Sequence, residues 1–467
     1  MNRRQFVTGA GVACLTTCAA AASRFGSNES IHLGFIGLGV RGMLLLKAFN
    51  RIAGVRIAAL CDPDQLRLAK AAEEFPLART SIDLRRVIED DGIDAVVIAT
   101  GNHWHCLAAI MACRSGKDVY VEKPLGHNLA EQEALIKVAR ETGRIVQVGT
   151  QQRSDPAHKA ARRWLHEEKL LGKITGIVAC RAGIRQPIGA RETALPIPRT
   201  TDYGLWLGPA KREPLFRDSL HYDWHWDWNT GSGEMGNWGV HIIDDLRSVA
   251  LADKIDLPKR VVSAGGRIGW NDAGETPNLQ AALFECAPVS VKLLLSNLKG
   301  KTSLPRHFGY RGPMSGYVVR GEGGTLSARR GKYIVRDNSG AIVRQRAGNG
   351  GANHQRNFID ALRQQSSELL NAPLMQGHAS SSWCHLANIA CLQGQSTPDS
   401  DSNHPADWAA LSHSLNRVAR EKGVGPMPAG RVECDDPRRL ASDQLSSEAM
   451  NLVARISPSK GFDPLTA

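Results

Sequence analysis

Ile31-His32-Leu33-Gly34-Phe35-Ile36-Gly37-Leu38-Gly39-Val40-Arg41-Gly42 is an apolar run that breaks into a glycine turn, and Met43 to Phe49 behind it carries apolar residues at helical spacing. Strand, glycine turn and helix in that order make a dinucleotide site. Gly37 permits the tight turn, Gly39 lets backbone approach a pyrophosphate, and Gly42 lets the helix close on its strand. The helix then starts at Val40 and Arg41 with N–H groups aimed at phosphate. A second strand, Val55 to Cys61, ends in Asp62, twenty-five positions after Gly37, where a carboxylate can bind a ribose diol. Asp62 could also cap the helix that begins near Pro63. A carboxylate here favours NAD over the 2′-phosphorylated cofactor, because it accepts from the free diol and repels a phosphate.

The alternation continues through a strand at Ala95–Ala99, a helix at Trp104–Cys113, a strand at Asp118–Val121, a helix at Leu129–Thr142 and a strand at Ile145–Gly149. Strand and helix in turn give a doubly wound parallel sheet. Ligands bind at the carboxyl ends of such strands, and two of those ends are polar: Thr100-Gly101-Asn102-His103-Trp104-His105 and Glu122-Lys123-Pro124. Thr100, Asn102, His105, Glu122 and Lys123 are therefore candidate cofactor contacts beside Gly37, Gly39, Val40, Arg41, Gly42 and Asp62.

Length and composition bound the rest. A chain of 467 residues is too long for one core and reads as two domains. The formal charge of +12 is scattered, with no basic stripe interleaved with aromatics, so nucleic acid is not an expected partner. Ten cysteines include no CxxC pair, and those in apolar-periodic segments read as small core residues; no metal site is expected. Met1 to Ser23 carries Arg3-Arg4 ahead of a short, Ala-rich apolar run, the pattern of a twin-arginine signal peptide. It predicts recognition by the twin-arginine translocase and export to the periplasm. Leu15-Thr16-Thr17-Cys18 resembles a lipoprotein box only loosely, since Thr17 is a poor residue before the cysteine, so acylation of Cys18 is the lesser expectation. No stretch is expected to span a bilayer.

Together the glycine turn, Asp62, Asn102-His103-Trp104-His105 and Glu122-Lys123-Pro124 resemble the glucose-fructose oxidoreductase/inositol dehydrogenase (Gfo/Idh/MocA) family. The likeness runs on through Val148 to Arg153 and from Gly231 to Asp244. It implies an α/β chain: a Rossmann domain over 31–150, then an α+β domain over 151–422 with an open, mostly antiparallel sheet and C-terminal helices. Strands at Val261–Ile268, Leu279–Glu285, Ser290–Leu298, Tyr317–Gly321 and Tyr333–Arg336 would build that sheet, and their alternation agrees with one buried face. Residues 423–467, poor in apolar periodicity, read as a loosely packed tail.

The resemblance also implies chemistry. Lys123 would contact substrate and cofactor ribose, next to a Lys–Pro bond that is usually cis, and His241 would be the acid/base partner. Independently of any family, moving a hydride to or from a carbinol carbon requires moving the proton on its oxygen, and imidazole titrates in the useful range. Where the family pattern has an aspartate four residues before this histidine, the chain has Asn237, which can orient a ring but cannot stabilise imidazolium by charge. His221-Tyr222-Asp223-Trp224-His225-Trp226-Asp227-Trp228 alternates tryptophans with polar residues, as suits a sugar ring. Gln151, Arg153, Trp226 and Asp227 are the candidate substrate contacts. The expected activity is hydride transfer between a tightly held NAD and a sugar, polyol or sugar derivative, in a homo-oligomer formed through the open sheet. Two alternatives remain: an NAD-dependent glycosidase working by transient oxidation and elimination, and a non-catalytic sugar-binding homologue. The intact glycine turn and Asp62 weigh against the last.

Overall fold

The structure is a computed structural model and describes residues 30–190, 192–299, 304–396, 405–434 and Leu452. The twin-arginine segment with Cys18, and most of the tail, lie outside the described residues.

The first half alternates β1 (Ile31–Ile36), α1 (Val40–Asn50), β2 (Val55–Cys61), α2 (Gln65–Glu74), β3 (Arg79–Ser81), α3 (Leu84–Ile88), β4 (Ala95–Ile98), α4 (Asn102–Arg114), β5 (Asp118–Val121), α5 (Leu129–Thr142) and β6 (Val146–Val148). The strands pair in parallel in the order β3-β2-β1-β4-β5-β6. β4 and β5 are buried at every position because helices cover both faces, which is why they read as unbroken apolar runs. The order reverses between β1 and β4, and a crevice opens there at the carboxyl ends of the strands.

The second half runs α6 (Pro156–His166), β7 (Ile174–Ala182), α7 (Tyr203–Leu207), α8 (Val240–Val249), β8 (Arg260–Gly266), β9 (Leu279–Glu285), β10 (Val291–Ser296), α9 (Leu304–His307), β11 (Ser315–Gly321), β12 (Gly324–Arg329), β13 (Lys332–Arg336), β14 (Ile342–Ala347), α10 (His354–Arg363), α11 (Leu374–Ser396), α12 (Ala406–Glu421) and β15 (Gly430–Glu433). Its nine-stranded sheet has the order β14-β13-β12-β11-β7-β10-β9-β8-β15 and is antiparallel except where β7 meets β10. One face, with Ile177, Leu293, Leu326 and Tyr333, packs on α6, α8 and α11. The sheet does not close on itself. Over β7 to β10, however, its other face is covered: Val262, Ala281 and Leu294 lie under Trp408, Leu411 and Leu415 of the amphipathic α12.

Two boundaries differ from the sequence reading. α10 lies in the second half of the chain but packs on the first domain, with Phe358 edge-on to Phe49 and Tyr120. The tail expected from Gly423 is not loosely packed at its start, because β15 extends the sheet beside β8. Gly430 makes this docking possible: a Cβ there would strike the Ala390 carbonyl and the Gly394 backbone of α11. With Met427, Val432 and Cys434 as its scattered buried side chains, this stretch carries too short an apolar pattern to read.

Candidate functional site

A cleft of about 550 Å³ lies at the carboxyl ends of the parallel strands, walled on one side by the Rossmann domain and on the other by the sheet domain. Gly37 has φ +92°, and a Cβ on it would sit 2.6 Å from the Ala99 carbonyl oxygen. A Cβ on Gly42 would strike the Gly37 carbonyl. Gly39 caps α1 without a side-chain hydrogen bond, so the first N–H groups of the helix, at Val40, Arg41 and Gly42, have no side-chain acceptor. This is a phosphate cradle that any larger residue would fill, and it fits a dinucleotide. Asp62 lines the same cleft; its carboxylate accepts from Leu38 N at 2.8 Å and Asp64 N at 3.0 Å, and burial raises its pKa. The cap of α2 is Asp64, which accepts from Leu66 N, so Asp62 is not occupied as a helix cap.

The side chain of Arg41 is committed elsewhere: its Nε lies 2.6 Å from Glu122 Oε1 and ties α1 to the end of β5. Arg41 therefore offers a phosphate its backbone, and Glu122 acts by fixing that backbone. Lys123 follows, with a cis bond to Pro124. Its Nζ donates to Asn237 O at 2.7 Å and to Asn237 Oδ1 at 3.2 Å. Burial pushes the Lys123 pKa down to about 8, against the pull of Glu122. His105 lies behind this turn with one ring nitrogen 2.7 Å from Pro124 O and the other 3.2 Å from Thr100 O. Asn102 donates to Ser232 Oγ at 2.9 Å. Both residues border the cleft, and the contacts they make in the protein hold its loops in place.

Between β7 and the π-helical turn Met235–Gly239, the chain crosses from the sheet domain over the cleft as a strap. Its anchors on the Rossmann side are several. Trp104 Nε1 donates to Leu205 O and Trp206 O, and the His103 ring sits between Trp206 O and Thr230 O. Thr200 O accepts from Gln65 N, Asp202 N donates to Pro63 O, and His221 Nε2 lies 2.7 Å from Asp64 Oδ2. Three residues of the Asn-His-Trp-His motif, Asn102, His103 and Trp104, thus pin the strap. Leu205, Trp206, Ser219, His221 and Tyr222 line the cleft from above, and Arg67 reaches over the glycine turn, 2.9 Å from where a Gly39 Cβ would sit.

The substrate candidates separate. Gln151 lines the cleft. Arg153 does not: its guanidinium is buried, bound to Asp244 and to Asp253 at 2.9 Å each, and clamps α8 to the loop after it. Trp226 packs behind the strap with Ile188 and Ala273, and Asp227 is held by Arg217 at 2.8 Å. The tryptophan loop presents Trp224 and His225 instead, stacked 3.7 Å apart between ring centres.

His241, in the first turn of α8, is half-buried and lines the cleft with Lys123, edge-on to Trp238 at 5.7 Å. Burial, then the charges of Lys123, Arg330 and Arg41, hold its pKa well below the ordinary value, so the ring is neutral near pH 7. Asn237 does not orient it. The Asn237 carbonyl and amide oxygens both accept from Lys123, and Nδ2 faces Glu234 Oε2 at 3.5 Å. The π-helical turn aims these groups at the lysine. Arg330, at the tip of the β12–β13 hairpin, lines the cleft as well. No local signal marks it, because its only sequence context is a polar Arg329-Arg330-Gly331 turn. Among the described residues no His, Cys, Asp or Glu cluster could hold a metal, and no helix is long and apolar enough to cross a membrane.

Residues 31–150 match the Gfo/Idh/MocA model described as an oxidoreductase family, NAD-binding Rossmann fold, and residues 188–266 match that family's C-terminal alpha/beta domain. Two stretches of the chain thus match models of the Gfo/Idh/MocA oxidoreductase family. A scyllo-inositol 2-dehydrogenase (NAD(+)) of Bacillus subtilis is 37% identical over 136 residues, 29% of this chain and 40% of that protein. An alpha-N-acetylgalactosaminidase of Shewanella oneidensis is 35% identical over 123 residues, 24% of this chain and 27% of that protein. The matches thus span from about a quarter to two fifths of these curated relatives. Among solved structures, levoglucosan dehydrogenase in complex with NADH and levoglucosan superposes with a TM-score of 0.58 over 77% of this chain and 96% of that one, at 18% identity. That likeness is one of fold.

Proposed function

We propose that this Gfo/Idh/MocA protein is an NAD-dependent oxidoreductase that transfers a hydride between nicotinamide and a sugar, polyol or sugar derivative. The observation that carries the reading is the meeting, in one cleft, of the glycine cradle with a lysine whose pKa is about 8 and a neutral histidine. Val40, Arg41 and Gly42 would hold the pyrophosphate through their N–H groups, and Asp62 the ribose diol, which favours NAD over NADP. Nicotinamide supplies the hydride acceptor when bound. His241, neutral, takes the hydroxyl proton as the carbinol is oxidised, and the Lys123 ammonium steadies the oxygen as it loses that proton. In the reverse direction the same groups return it. Trp224 and His225 offer the sugar an aromatic wall.

The strap supports a tightly held cofactor, because its anchors on Asp64, Gln65 and Pro63 must open before a nucleotide leaves. A retained cofactor also suits export of a folded protein through the twin-arginine translocase to a periplasm poor in free nucleotide. Denaturing the purified protein and identifying the nucleotide released tests this: NAD or NADH in near-equal molar ratio to protein is expected. A protein that yields no nucleotide and binds NADP as tightly as NAD would refute it. Mixing holoprotein with sugars and polyols and following nicotinamide absorbance tests the redox step.

A second reading is kept because relatives named as a glycosidase match the chain over 123 residues. In it the cofactor is reduced and reoxidised within one turnover while an aglycone is eliminated. Release of phenol from an aryl glycoside without net NADH would establish it. The exposed edge strand β14 supports homo-oligomer formation at the uncovered end of the sheet, which light scattering tests.

A further inference from the structure

The charges lining the cleft do not balance where the sugar would sit. Its acidic lining residues, among those described, are Asp62 and Glu122; its basic ones are Arg41, Arg67, Lys123 and Arg330. Arg41 is neutralised by Glu122, and Arg67 stands with Asp62 at the ribose end. Glu234, the next carboxylate behind the cleft, is fully buried and already takes Arg181 at 2.6 Å and Arg185 at 3.0 Å. The Asp155 carboxylate also pulls on Arg330, but its oxygens already accept from Ala157 N and Gly350 N. Lys123 and Arg330 are left without an ion pair: the Lys123 ammonium bonds to neutral Asn237 oxygens, and the guanidinium meets the Gln151 side chain. Arg330 also lines a cavity of about 30 Å³ with Gln152, Trp238 and His241. It therefore stands at the proton-transfer end of the cleft, near enough to feel the charge of Arg41 at the start of α1.

Two cations converging on a half-buried, aromatic-walled site are costly without an anion, and a guanidinium offers paired donors that match a carboxylate. We propose that the substrate is a sugar acid, its carboxylate held by Arg330 with Lys123 alongside and its reacting hydroxyl at His241. This rests on the oxidoreductase reading for the hydroxyl, while the anion site stands on the charges alone. Arg330 is then the specificity-determining residue, supplied by the sheet domain to a cleft whose cofactor wall is complete without it.

The test is calorimetry of nucleotide-loaded protein with matched probes: glucuronate, galacturonate and gluconate beside glucose, galactose and glucitol, with glucose 6-phosphate as a separate arm. At least one acid should bind ten-fold or more tighter than its neutral partner. That ratio should fall as salt rises, collapse toward one in Arg330→Gln and recover in part in Arg330→Lys. No preference for any acid overturns the proposal, as does an Arg330→Gln variant that loses nucleotide while keeping the ratio. Preference for the phosphate alone overturns the carboxylate assignment. Nicotinamide absorbance in the same samples separates the two readings. Acids that bind through Arg330 without reducing the cofactor sustain this inference and sink the oxidoreductase, whereas reduction by neutral polyols with no acid preference does the reverse.

Discussion

On the Rossmann wall of the cleft the functional groups sit close behind strand ends: Gly37 to Gly42 after β1, Asp62 after β2, Thr100 and Asn102 after β4, Glu122 and Lys123 after β5. On the facing wall the groups come from a strap, a π-helical turn and a hairpin tip, spread from Leu205 to Arg330 and brought together by packing. The first wall is built by local rules, in which a strand end and a glycine determine where a backbone amide points. The second is built by long-range contacts, which carry His241, Asn237 and Arg330 to the cleft from separate elements. Cofactor chemistry belongs to the first wall and substrate choice to the second, a division that mutation can test.

The largest effect should come from the residues that meet across the gap. Lys123→Ala and His241→Ala should each lower kcat by about 10²–10⁴-fold, the usual worth of a positioned proton-transfer group. Neither should greatly change the thermal midpoint, since Lys123 bonds to one neighbouring residue and His241 makes no hydrogen bond within the described residues. A variant at either site that turns over at near the native rate would remove that residue from the proton step and leave its wall merely supportive.

Arg153 marks the limit of the second wall, being near the cleft in sequence but outside it in space. Arg153→Ala strips the buried Asp244 of its guanidinium and leaves Asp253 with Arg162 alone, and breaking a buried pair of this kind costs about 3–5 kcal/mol. Denaturant unfolding should show this loss while KM stays within about two-fold. Burial alone would raise the Asp253 pKa, but hydrogen bonds and charge from Arg153 and then Arg162 hold it down at about 2. A depressed carboxylate contributes stability that is fully present above its unfolded pKa of about 3.9 and is lost as pH falls through the folded value. The native protein should therefore lose stability between about pH 4 and 2 more steeply than Arg153→Ala. A changed KM with unchanged stability would return Arg153 to the substrate site.

A smaller effect belongs to the strap. His221→Ala removes one hydrogen bond to a carboxylate, about 1.5 kcal/mol, so nucleotide should leave about tenfold faster in a stopped-flow release assay. An unchanged release rate would show that the strap does not control the cofactor.

How much of this could be read from the chain follows the same division. The parallel sheet, the glycine cradle and the polar ends of β4 and β5 were legible because strand period, glycine and position act within a dozen residues. The five strands expected in the second sheet are present as β8, β9, β10, β11 and β13, whereas β7, β12, β14 and β15 carry no readable apolar alternation, being partly exposed or short. The tryptophan loop was rightly marked as unusual, but alternation cannot say which side of a 3₁₀ turn faces the cleft: Trp224 and His225 do, Trp226 and Asp227 do not. His221 and Arg67 had no pattern of their own. Arg330 depends on where a hairpin tip lands after nine strands have paired, which no local spacing encodes.

Asn237 gives the finest test, because it belongs to the second wall and acts on a residue of the first. The resemblance read from the sequence implies an aspartate at this position, whose charge would serve the histidine. In the structure both oxygens of Asn237 are turned to Lys123, so a carboxylate at this position would act on the ammonium. The Lys123 pKa of about 8 means that the protonated donor is present at neutral pH and lost above it, while His241, already neutral, adds no transition between pH 6 and 8. The kcat/KM profile for sugar oxidation should therefore be level near neutrality and fall above about pH 8. Asn237→Asp places an opposite charge within hydrogen-bonding reach, which raises an amine pKa by about 1–3 units, so the fall should move up by at least about one unit with little change in the rate at pH 7. Lys123→Arg should abolish the fall at a lower overall rate, because guanidinium stays protonated throughout. If Asn237→Asp instead creates a new transition on the acid side, the charge is being felt by His241, and the family's pairing holds here despite the geometry.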